Sequence, residues 1–319
     1  MIVQEILKNA GNEMDINETQ ALQLLRIKNG SEEFYSLLSV ANDLTRREYN
    51  GKGYVSAQIG VNANPCSQNC GFCSMGREHY VLDSRWEKDT ESVLAGATLL
   101  LQQEVDFLFL MSTANYGLDK FLRIAREVRK LLPSDMIYGA NIGDFDDEIA
   151  IQLHEAGFTA VYHILRLREG IDTDIDPRRR MNTLEAAHRH GLAICYCVEP
   201  IGPEHSYDEI VVEMFRAKRF GVELHGVMRR IPVPGTPFAS SALIPAIELA
   251  KIAAVTRIAT RPKRAFCVHE PNLMALFAGA NLLCAEAGAN PRDVRSETEK
   301  SAGMSVKVVR KMLWEAEYV

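Results

Sequence analysis

Three cysteines stand close together in the segment NPCSQNCGFCSM. Cys66, Cys70 and Cys73 have the spacing C-x3-C-x2-C, which puts three thiols in one loop, within reach of one metal cluster. Thiolates are the ligands of iron–sulfur clusters, and three of them leave one iron of a four-iron cube without a protein ligand. The spacing therefore predicts a [4Fe–4S] cluster that keeps one iron open to chemistry.

A zinc site is the alternative interpretation of the same thiols. Structural zinc takes four closed tetrahedral ligands, usually as two separated pairs, and the nearest fourth ligand in this region is His79. On that interpretation the chain is a zinc-binding scaffold for the assembly of partner proteins and not an enzyme.

The composition indicates a soluble globular protein. The chain has 319 residues, 47% hydrophobic and 24% charged, enough for one large α/β barrel or two ordinary domains. Its net charge of -6 argues against a general nucleic-acid or anionic-membrane surface, and no apolar run reaches membrane-spanning length. Because the sequence shows no secretory signal pattern, we expect a cytoplasmic location, where seven cysteines serve metals or catalysis and not disulfides.

Short apolar runs alternate with amphipathic ones from Tyr54 onward, which is typical of repeated βα units around a parallel sheet. Eight such runs close a barrel, so we predict an α/β fold of the TIM-type (βα)8 class, complete or nearly so. Residues 51–319 form this barrel domain, and residues 1–50 form a short N-terminal helical extension, interrupted at residues 28–30. The predicted strands are Val55–Val61, Val105–Met111, Met136–Ile142, Thr159–Leu165, Leu192–Val198, Leu224–Arg230, Arg264–Val268 and Leu282–Ala285.

Active-site groups of such barrels lie at the carboxyl ends of the strands and in the loops that follow. The three clustered cysteines follow the first predicted strand. The other four cysteines lie on later predicted strands: Cys195 and Cys197 on the fifth, Cys267 on the seventh and Cys284 on the eighth.

The cysteine segment resembles the signature of the radical S-adenosylmethionine superfamily, which has this spacing and an aromatic residue just before the last cysteine. Phe72 stands at that aromatic position. The resemblance implies that S-adenosylmethionine chelates the open iron through its amino and carboxylate groups. It also implies that one electron cleaves this cofactor to methionine and a 5′-deoxyadenosyl radical, which removes hydrogen from an unactivated carbon.

Most of the remaining chain resembles biotin synthase and its relatives, in the segments EFYSLLSVANDLTRREYNGKGYVSAQIGVNANPC, GLAICYCVEPIGPE, IPVPGTPF and RAFCVHEPNLMALFAGAN. Biotin synthase holds a second, two-iron cluster deep in its barrel as a sulfur source, through three cysteines and an arginine. By this resemblance, Leu110 and Gly139 occupy the second- and third-strand cysteine positions. Cys195 matches the fifth-strand ligand, and Cys267 stands where the family has its arginine. A two-iron site of the family type is therefore not expected.

Strand geometry suggests a different second site. Residues two apart in a strand point to the same face, so Cys195 and Cys197 point together, either both into the barrel or both away. With Cys267 from a nearby strand, they predict an auxiliary iron–sulfur cluster whose sulfide is the donor for carbon–sulfur bond formation. The alternative is that these cysteines are small core residues, the role that we assign to Cys284.

The substrate side favours an alkyl chain. Where biotin synthase presents asparagines to the ureido group of dethiobiotin, this chain has Leu165 and either Met228 or Arg229. Each unpaired polar atom of a buried ureido group costs about 1–3 kcal/mol. The archaeal-type lipoyl synthases are biotin-synthase-like enzymes that insert sulfur into an octanoyl chain on a carrier-protein lysine. We place that reaction ahead of biotin formation, and a radical rearrangement or lyase reaction without sulfur is the other enzymatic alternative.

Polar residues at the strand ends are the candidate cofactor contacts. Arg166, Arg168 and Glu199 are expected to contact the carboxylate, ribose or adenine of S-adenosylmethionine, since arginine can pair with a carboxylate in a bidentate way. Ser112 and Asn141 face the methionine part or the substrate, unless they cap helices.

The resemblance also implies partners. A radical enzyme of this kind needs a flavodoxin- or ferredoxin-type electron donor, and the lipoyl reaction adds an octanoylated carrier protein. The segment DPRRRM is interpreted as a solvated helix start or as a docking patch for an acidic carrier. Neither nucleic acid nor membrane is expected as a partner.

Overall fold

The computed structural model describes residues 2–319. Eight parallel strands close a barrel in which each strand pairs with the next one in the chain and the eighth pairs with the first. The predicted TIM-type (βα)8 barrel is confirmed. The strands are β1 (Tyr54–Gly60), β2 (Phe107–Met111), β3 (Ile137–Asn141), β4 (Ala160–Tyr162), β5 (Ala193–Ile201), β6 (Leu224–Arg229), β7 (Ala265–Val268) and β8 (Leu282–Ala287).

Helices surround the barrel, and many begin at a polar side chain that caps the first turn. Ser206, for example, accepts a hydrogen bond from the backbone of Glu209, whose side chain accepts one in return. Within residues 2–319 no helix has both the length and the apolar character needed to cross a bilayer. The helices are α1 (Ile2–Gly11), α2 (Glu18–Leu25), α3 (Glu32–Glu48), α4 (Thr90–Gln102), α5 (Leu118–Arg129), α6 (Asp147–Glu155), α7 (Pro177–Arg189), α8 (Tyr207–Phe220), α9 (Ala246–Thr260), α10 (Leu273–Phe277) and α11 (Val306–Glu315).

The N-terminal segment is helical, as predicted, and its helical structure is interrupted between α2 and α3. Helix α3 packs on α9 and α2 packs on α8, so the apolar faces of these helices join the core outside the barrel. The buried guanidinium of Arg257 on α9 fastens α3, because its Nε donates to Thr45 Oγ1 at 2.7 Å and its Nη2 donates to Glu48. The division at residue 50 stays a prediction.

Side chains on the strands alternate between this outer core and the barrel interior. The lower interior is filled by Phe107, Phe109, Ile137, Leu224 and Leu282. Cys195 and Cys197 both line the interior, which settles their shared direction as inward.

The fourth predicted strand is too long. Ladder pairing ends at Tyr162, and the chain then follows β5 irregularly, with Leu165 N donating to Tyr196 Oη at 3.2 Å and Leu167 N donating to Glu199 O at 3.0 Å. The fifth strand is longer than predicted and ends at Ile201. Leu165 therefore lies in a loop at the barrel mouth and not on a strand.

Candidate active site at the barrel mouth

The loop that carries Cys66, Cys70 and Cys73, here called the loop thiols, lies over the carboxyl ends of the strands. Backbone hydrogen bonds fold it on itself, with Cys66 N donating to Met75 O at 2.7 Å and Cys73 N to Cys70 O at 2.9 Å. Neighbouring loops hold it from two sides, since Gly71 N donates to Asp172 O and Ser74 N donates to Pro291 O. All three loop thiols line the interior cavity.

The imidazole of His79 holds this loop in place through hydrogen bonds to its backbone. Its Nε2 lies 3.1 Å from the carbonyl oxygen of Cys70 and 3.0 Å from that of Cys73. Carbonyl oxygens only accept, so Nε2 carries a proton and donates to both. A Cβ at Gly76 would overlap the imidazole ring, so glycine is required there for the ring to fit. Nε2 is committed to these carbonyls, and among residues 2–319 His79 belongs to no trio with the loop thiols whose ligand atoms all lie within 4.8 Å, so the arrangement does not favour His79 as a fourth zinc ligand.

The spacing of the loop thiols also differs from that of a single-ion site. Among residues 2–319, the one trio of cysteine, histidine or acidic side chains whose ligand atoms all lie within 4.8 Å of one another is Asp172, Glu204 and His205. Nδ1 of His205 accepts from Gly202 N at 2.9 Å, and Glu204 pairs with Arg230, so two members of this trio already have protein partners outside it. The wider separation of the loop thiols suits a cluster of several irons.

Cys70 and Cys73 are protonated in the absence of metal. Burial raises the pKa of Cys70 well above its usual range and that of Cys73 to about 11, although the backbone N–H of Met75 donates to the Cys73 sulfur at 3.4 Å. Cluster binding must therefore release these protons, because thiolates are the ligands.

Arg166 has donor groups that no protein atom satisfies. Its side chain is mostly buried and lines the cavity, with Nε 3.4 Å from Glu199 Oε1 and Nη1 3.7 Å from Glu169 Oε2. Neither nitrogen has a hydrogen-bond partner among residues 2–319. The guanidinium lies 5.9 Å from the centroid of the Phe72 ring, beside the loop thiols. A buried cation with free donors at this position fits the carboxylate of S-adenosylmethionine.

Other predicted cofactor contacts divide into two groups. Ser112, Asn141 and Glu199 line the cavity, and Asn141 Nδ2 donates to Gln58 Oε1 at 3.0 Å. Arg168 is directed elsewhere, because its Nε faces Asp172 at 3.9 Å and the residue does not line the cavity. The expectation that Arg168 contacts the cofactor is therefore not supported by its position.

Arg180 was missed in the sequence interpretation of the segment DPRRRM. It is 4% exposed and lines the cavity, with Nη1 3.2 Å from Asp144 Oδ1 and Nε 3.4 Å from Glu169 Oε2. Arg178, in contrast, is exposed and pairs with Asp176. The helical period of the sequence could have predicted that Arg180 is buried, because the buried positions of α7 include residues 180, 183, 184 and 187.

The remaining cysteines lie deeper in the barrel, where the structure gives two relationships that the sequence interpretation did not include. Cys284 is not an isolated core residue, because its sulfur is 3.7 Å from the sulfur of Cys267. Leu110 faces the outer core, and its neighbour Phe109 fills the interior on β2 beside Gly139. A Cβ at Gly139 would overlap the Phe109 ring. The conclusion that neither strand offers a thiol is unchanged.

Neither of the two sixth-strand candidates, Met228 and Arg229, lines the cavity. Met228 is buried but does not line it, and Arg229 pairs with Glu270 outside the barrel mouth. Arg229 is thereby excluded as a substrate contact in this conformation.

Comparison with known proteins gives relatives of low sequence identity. No protein-family model matches the chain. The biotin synthase of Chlorobaculum parvum is 28% identical over 283 residues, which cover 81% of this chain and 80% of that protein. The biotin synthase of Heliobacterium modesticaldum is 26% identical over 255 residues, which cover 76% of each.

Two solved structures share the fold. Methylornithine synthase (PylB) aligns with a TM-score of 0.76 over 88% of this chain and 85% of that one. HydG, a maturase of the [FeFe]-hydrogenase, aligns with a TM-score of 0.81 over 98% of this chain and 74% of that one. Each is 15% identical to this chain, so the likeness is one of fold.

The barrel, the cysteine loop above its cavity and the similarity to biotin synthases together define the class, a radical S-adenosylmethionine enzyme. Within that superfamily the chain is a biotin synthase-like protein. This relationship implies a [4Fe–4S] cluster and S-adenosylmethionine as cofactors, which the loop thiols and the free donors of Arg166 fit.

Proposed function

We propose that this enzyme inserts sulfur into unactivated C–H bonds of an octanoyl chain carried on a protein lysine, a reaction of the lipoyl synthase type. The observation that supports it is the composition of the cavity below the loop thiols. Its floor is apolar, formed by Phe109, Leu224 and Leu282, and thiols stand in its wall. An alkyl chain gains about 0.8 kcal/mol for each methylene that it buries there.

The residues of the cavity have distinct tasks in this proposal. When bound, the cluster and S-adenosylmethionine supply a 5′-deoxyadenosyl radical that removes hydrogen from an unactivated carbon. Arg166 pairs with the carboxylate of the cofactor and fixes its orientation, and Glu199 accepts a hydrogen bond from its ribose or adenine. The apolar floor excludes water from the reacting carbon.

The overall reaction balances with one external electron for each sulfur. Each C–H to C–S conversion consumes one S-adenosylmethionine and one electron from a flavodoxin- or ferredoxin-type donor, and releases methionine and 5′-deoxyadenosine. The substrate carbon loses two electrons in this conversion, one with the hydrogen atom and one on bonding to sulfide; an auxiliary cluster would supply that sulfide and take up the second electron. The octanoylated carrier protein is the proposed partner on the substrate side.

Biotin formation from dethiobiotin is the second candidate. The named relatives favour it, and so do three polar residues of β1 and β3 that line the cavity, Ser56, Gln58 and Asn141. Gln58 and Asn141 already bond each other, which leaves fewer of their groups for a ureido group.

Anaerobic incubation with S-adenosylmethionine, a reductant and either an octanoylated carrier peptide or dethiobiotin tests the proposal. Mass measurement should find added sulfur on the peptide. Gln58→Leu is the matched variant: it should leave the octanoyl reaction within about threefold and impair a reaction that needs a polar wall. Sulfur on dethiobiotin alone, or 5′-deoxyadenosine with no sulfur on either compound, would contradict the octanoyl assignment.

A further inference from the structure

Three thiols from different strands meet on one wall of the barrel interior. The strand register places Gly226 of β6 between Cys197 of β5 and Cys267 of β7. The sulfur of Cys284 on β8 lies 3.7 Å from the sulfur of Cys267. Cys197, Cys267 and Cys284, here called the deep thiols, all line the cavity.

Because Gly226 has no side chain, the cavity wall between Cys197 and Cys267 consists of backbone alone. A Cβ at this position would lie 2.9 Å from the carbonyl oxygen of Cys267 and 3.0 Å from its Cβ, tighter than ordinary packing allows. Without a side chain there, a group bound to Cys197 and Cys267 can lie directly against the backbone of β6.

The distances distinguish a cluster from a single ion. A tetrahedral metal with bonds to sulfur of about 2.3 Å holds its thiolates about 3.8 Å apart. The 3.7 Å between Cys267 and Cys284 therefore allows both to bind one iron. Cys197 belongs to no trio of ligand atoms within 4.8 Å of one another among residues 2–319, which argues against a single ion bound to all three thiols.

A buried cation faces the same wall. Arg292 lines the cavity and is held by an ion pair with Glu286. A cation here offsets the negative charge that three thiolates bring to a cluster.

Cys195 has different surroundings. It faces the interior one step nearer the floor, where the register places it beside Leu224 and where its neighbours are apolar. Its environment is that of a packing residue.

We propose that Cys197, Cys267 and Cys284 ligate an auxiliary iron–sulfur cluster of at least two irons, and that Cys195 does not. The three thiols lose their protons as three iron–sulfur bonds form, with iron and sulfide supplied by assembly. This ligand set replaces the grouping of Cys195, Cys197 and Cys267 expected from the sequence. The cluster's role as sulfur donor rests on the proposed function, whereas its ligands can be tested without it.

The test uses the full chain with the triple substitution Cys66→Ala, Cys70→Ala and Cys73→Ala, which removes the first cluster. After anaerobic reconstitution with iron and sulfide, this protein should keep about two or more irons and visible charge-transfer absorption. Adding Cys197→Ser or Cys284→Ser should lower the iron content severalfold or shift the ⁵⁷Fe Mössbauer parameters. Adding the matched change Cys195→Ser should leave both unchanged.

Two outcomes would overturn the assignment: no iron in the triple variant, or loss of iron with Cys195→Ser while Cys284→Ser retains the unaltered cluster. Circular dichroism of each variant excludes misfolding as the cause. If a serine variant misfolds, a second Mössbauer component in the native protein, beyond that of the first cluster, still decides whether an auxiliary cluster forms. A cluster that assembles on these thiols while no sulfur reaches either substrate would contradict the proposed function and leave the ligand assignment intact.

Discussion

Nε2 of His79 lies 3.0 Å from the carbonyl oxygen of Cys73. The same nitrogen also reaches the carbonyl of Cys70, so one imidazole fixes the backbone at two of the three loop thiols. These bonds hold the peptide groups of the loop and leave the sulfur atoms free for iron. His79 is therefore a positioning residue for the cluster site and not a metal ligand.

Replacing His79 with alanine should loosen the cluster. The substitution leaves two loop carbonyls without their donor, at a cost of about 1–3 kcal/mol. We expect iron to pass to a chelator roughly tenfold faster than from the native protein, as followed by visible absorbance. The exposed His154 provides the control change His154→Ala. Equal rates of iron loss from the two variants would contradict the bracing role.

Arg166→Gln should weaken binding of S-adenosylmethionine, because the variant loses a charge-assisted contact worth about 1.5–3 kcal/mol. That range corresponds to roughly 10- to 100-fold in the dissociation constant, measured by equilibrium binding to the reconstituted protein. Arg168→Gln is the control, since Arg168 faces Asp172 outside the cavity and should change binding by less than about threefold. The reverse ranking of the two variants would refute the assignment.

The interior position of Phe109 predicts a specific rescue. Gly139→Ala should destabilise the protein by about 1–3 kcal/mol or more, because the added methyl overlaps the Phe109 ring. Combining it with Phe109→Leu should recover part of that loss in chemical denaturation. Strict additivity of the two changes would show that the residues do not meet across β2 and β3.

Acid should destabilise the protein partly through His225. Burial between β6 and α9 lowers the pKa of this imidazole to about 3, against about 6.5 in the unfolded chain. Since the unfolded state takes up the proton first, this contribution to stability is complete above pH 6.5 and falls as the pH drops toward 3. Its slope is about 1.4 kcal/mol per pH unit.

Because Thr260 donates its hydroxyl proton to Thr256, Nδ1 of His225 donates to Thr260 Oγ1 at 2.9 Å. His225→Asn keeps a donor there but has no titrating group. Between about pH 6 and pH 4, the slope of its unfolding free energy against pH should therefore be smaller than that of the native protein or of His154→Asn. The difference in slope should be about 1.4 kcal/mol per pH unit, which corresponds to one proton. Parallel pH profiles for all three proteins would rule out the effect.

Much of this architecture could be predicted from local pattern. The eight apolar runs at regular spacing and the C-x3-C-x2-C segment depend only on residues near one another in the chain, and both predictions placed the loop thiols at the barrel mouth. Strand geometry alone also predicts that Cys195 and Cys197 face the same side of the sheet.

Relationships between side chains on separate strands and loops were not accessible in the same way. The meeting of Cys284 with Cys267 depends on the stagger between β7 and β8, which no local pattern contains. The burial of Arg180 needs carboxylates from two other loops, Asp144 and Glu169, so its run of arginines resembled a solvated helix start. The braced position of His79 depends on the path of the cysteine loop itself.

The most direct test of the central claim is formation of 5′-deoxyadenosine by the anaerobically reconstituted protein, supplied with S-adenosylmethionine and dithionite. The loop thiols predict that the native chain forms 5′-deoxyadenosine and methionine in equal amounts, and that the triple change of Cys66, Cys70 and Cys73 to alanine abolishes both products. A native protein with its full complement of iron that forms no 5′-deoxyadenosine would contradict the account.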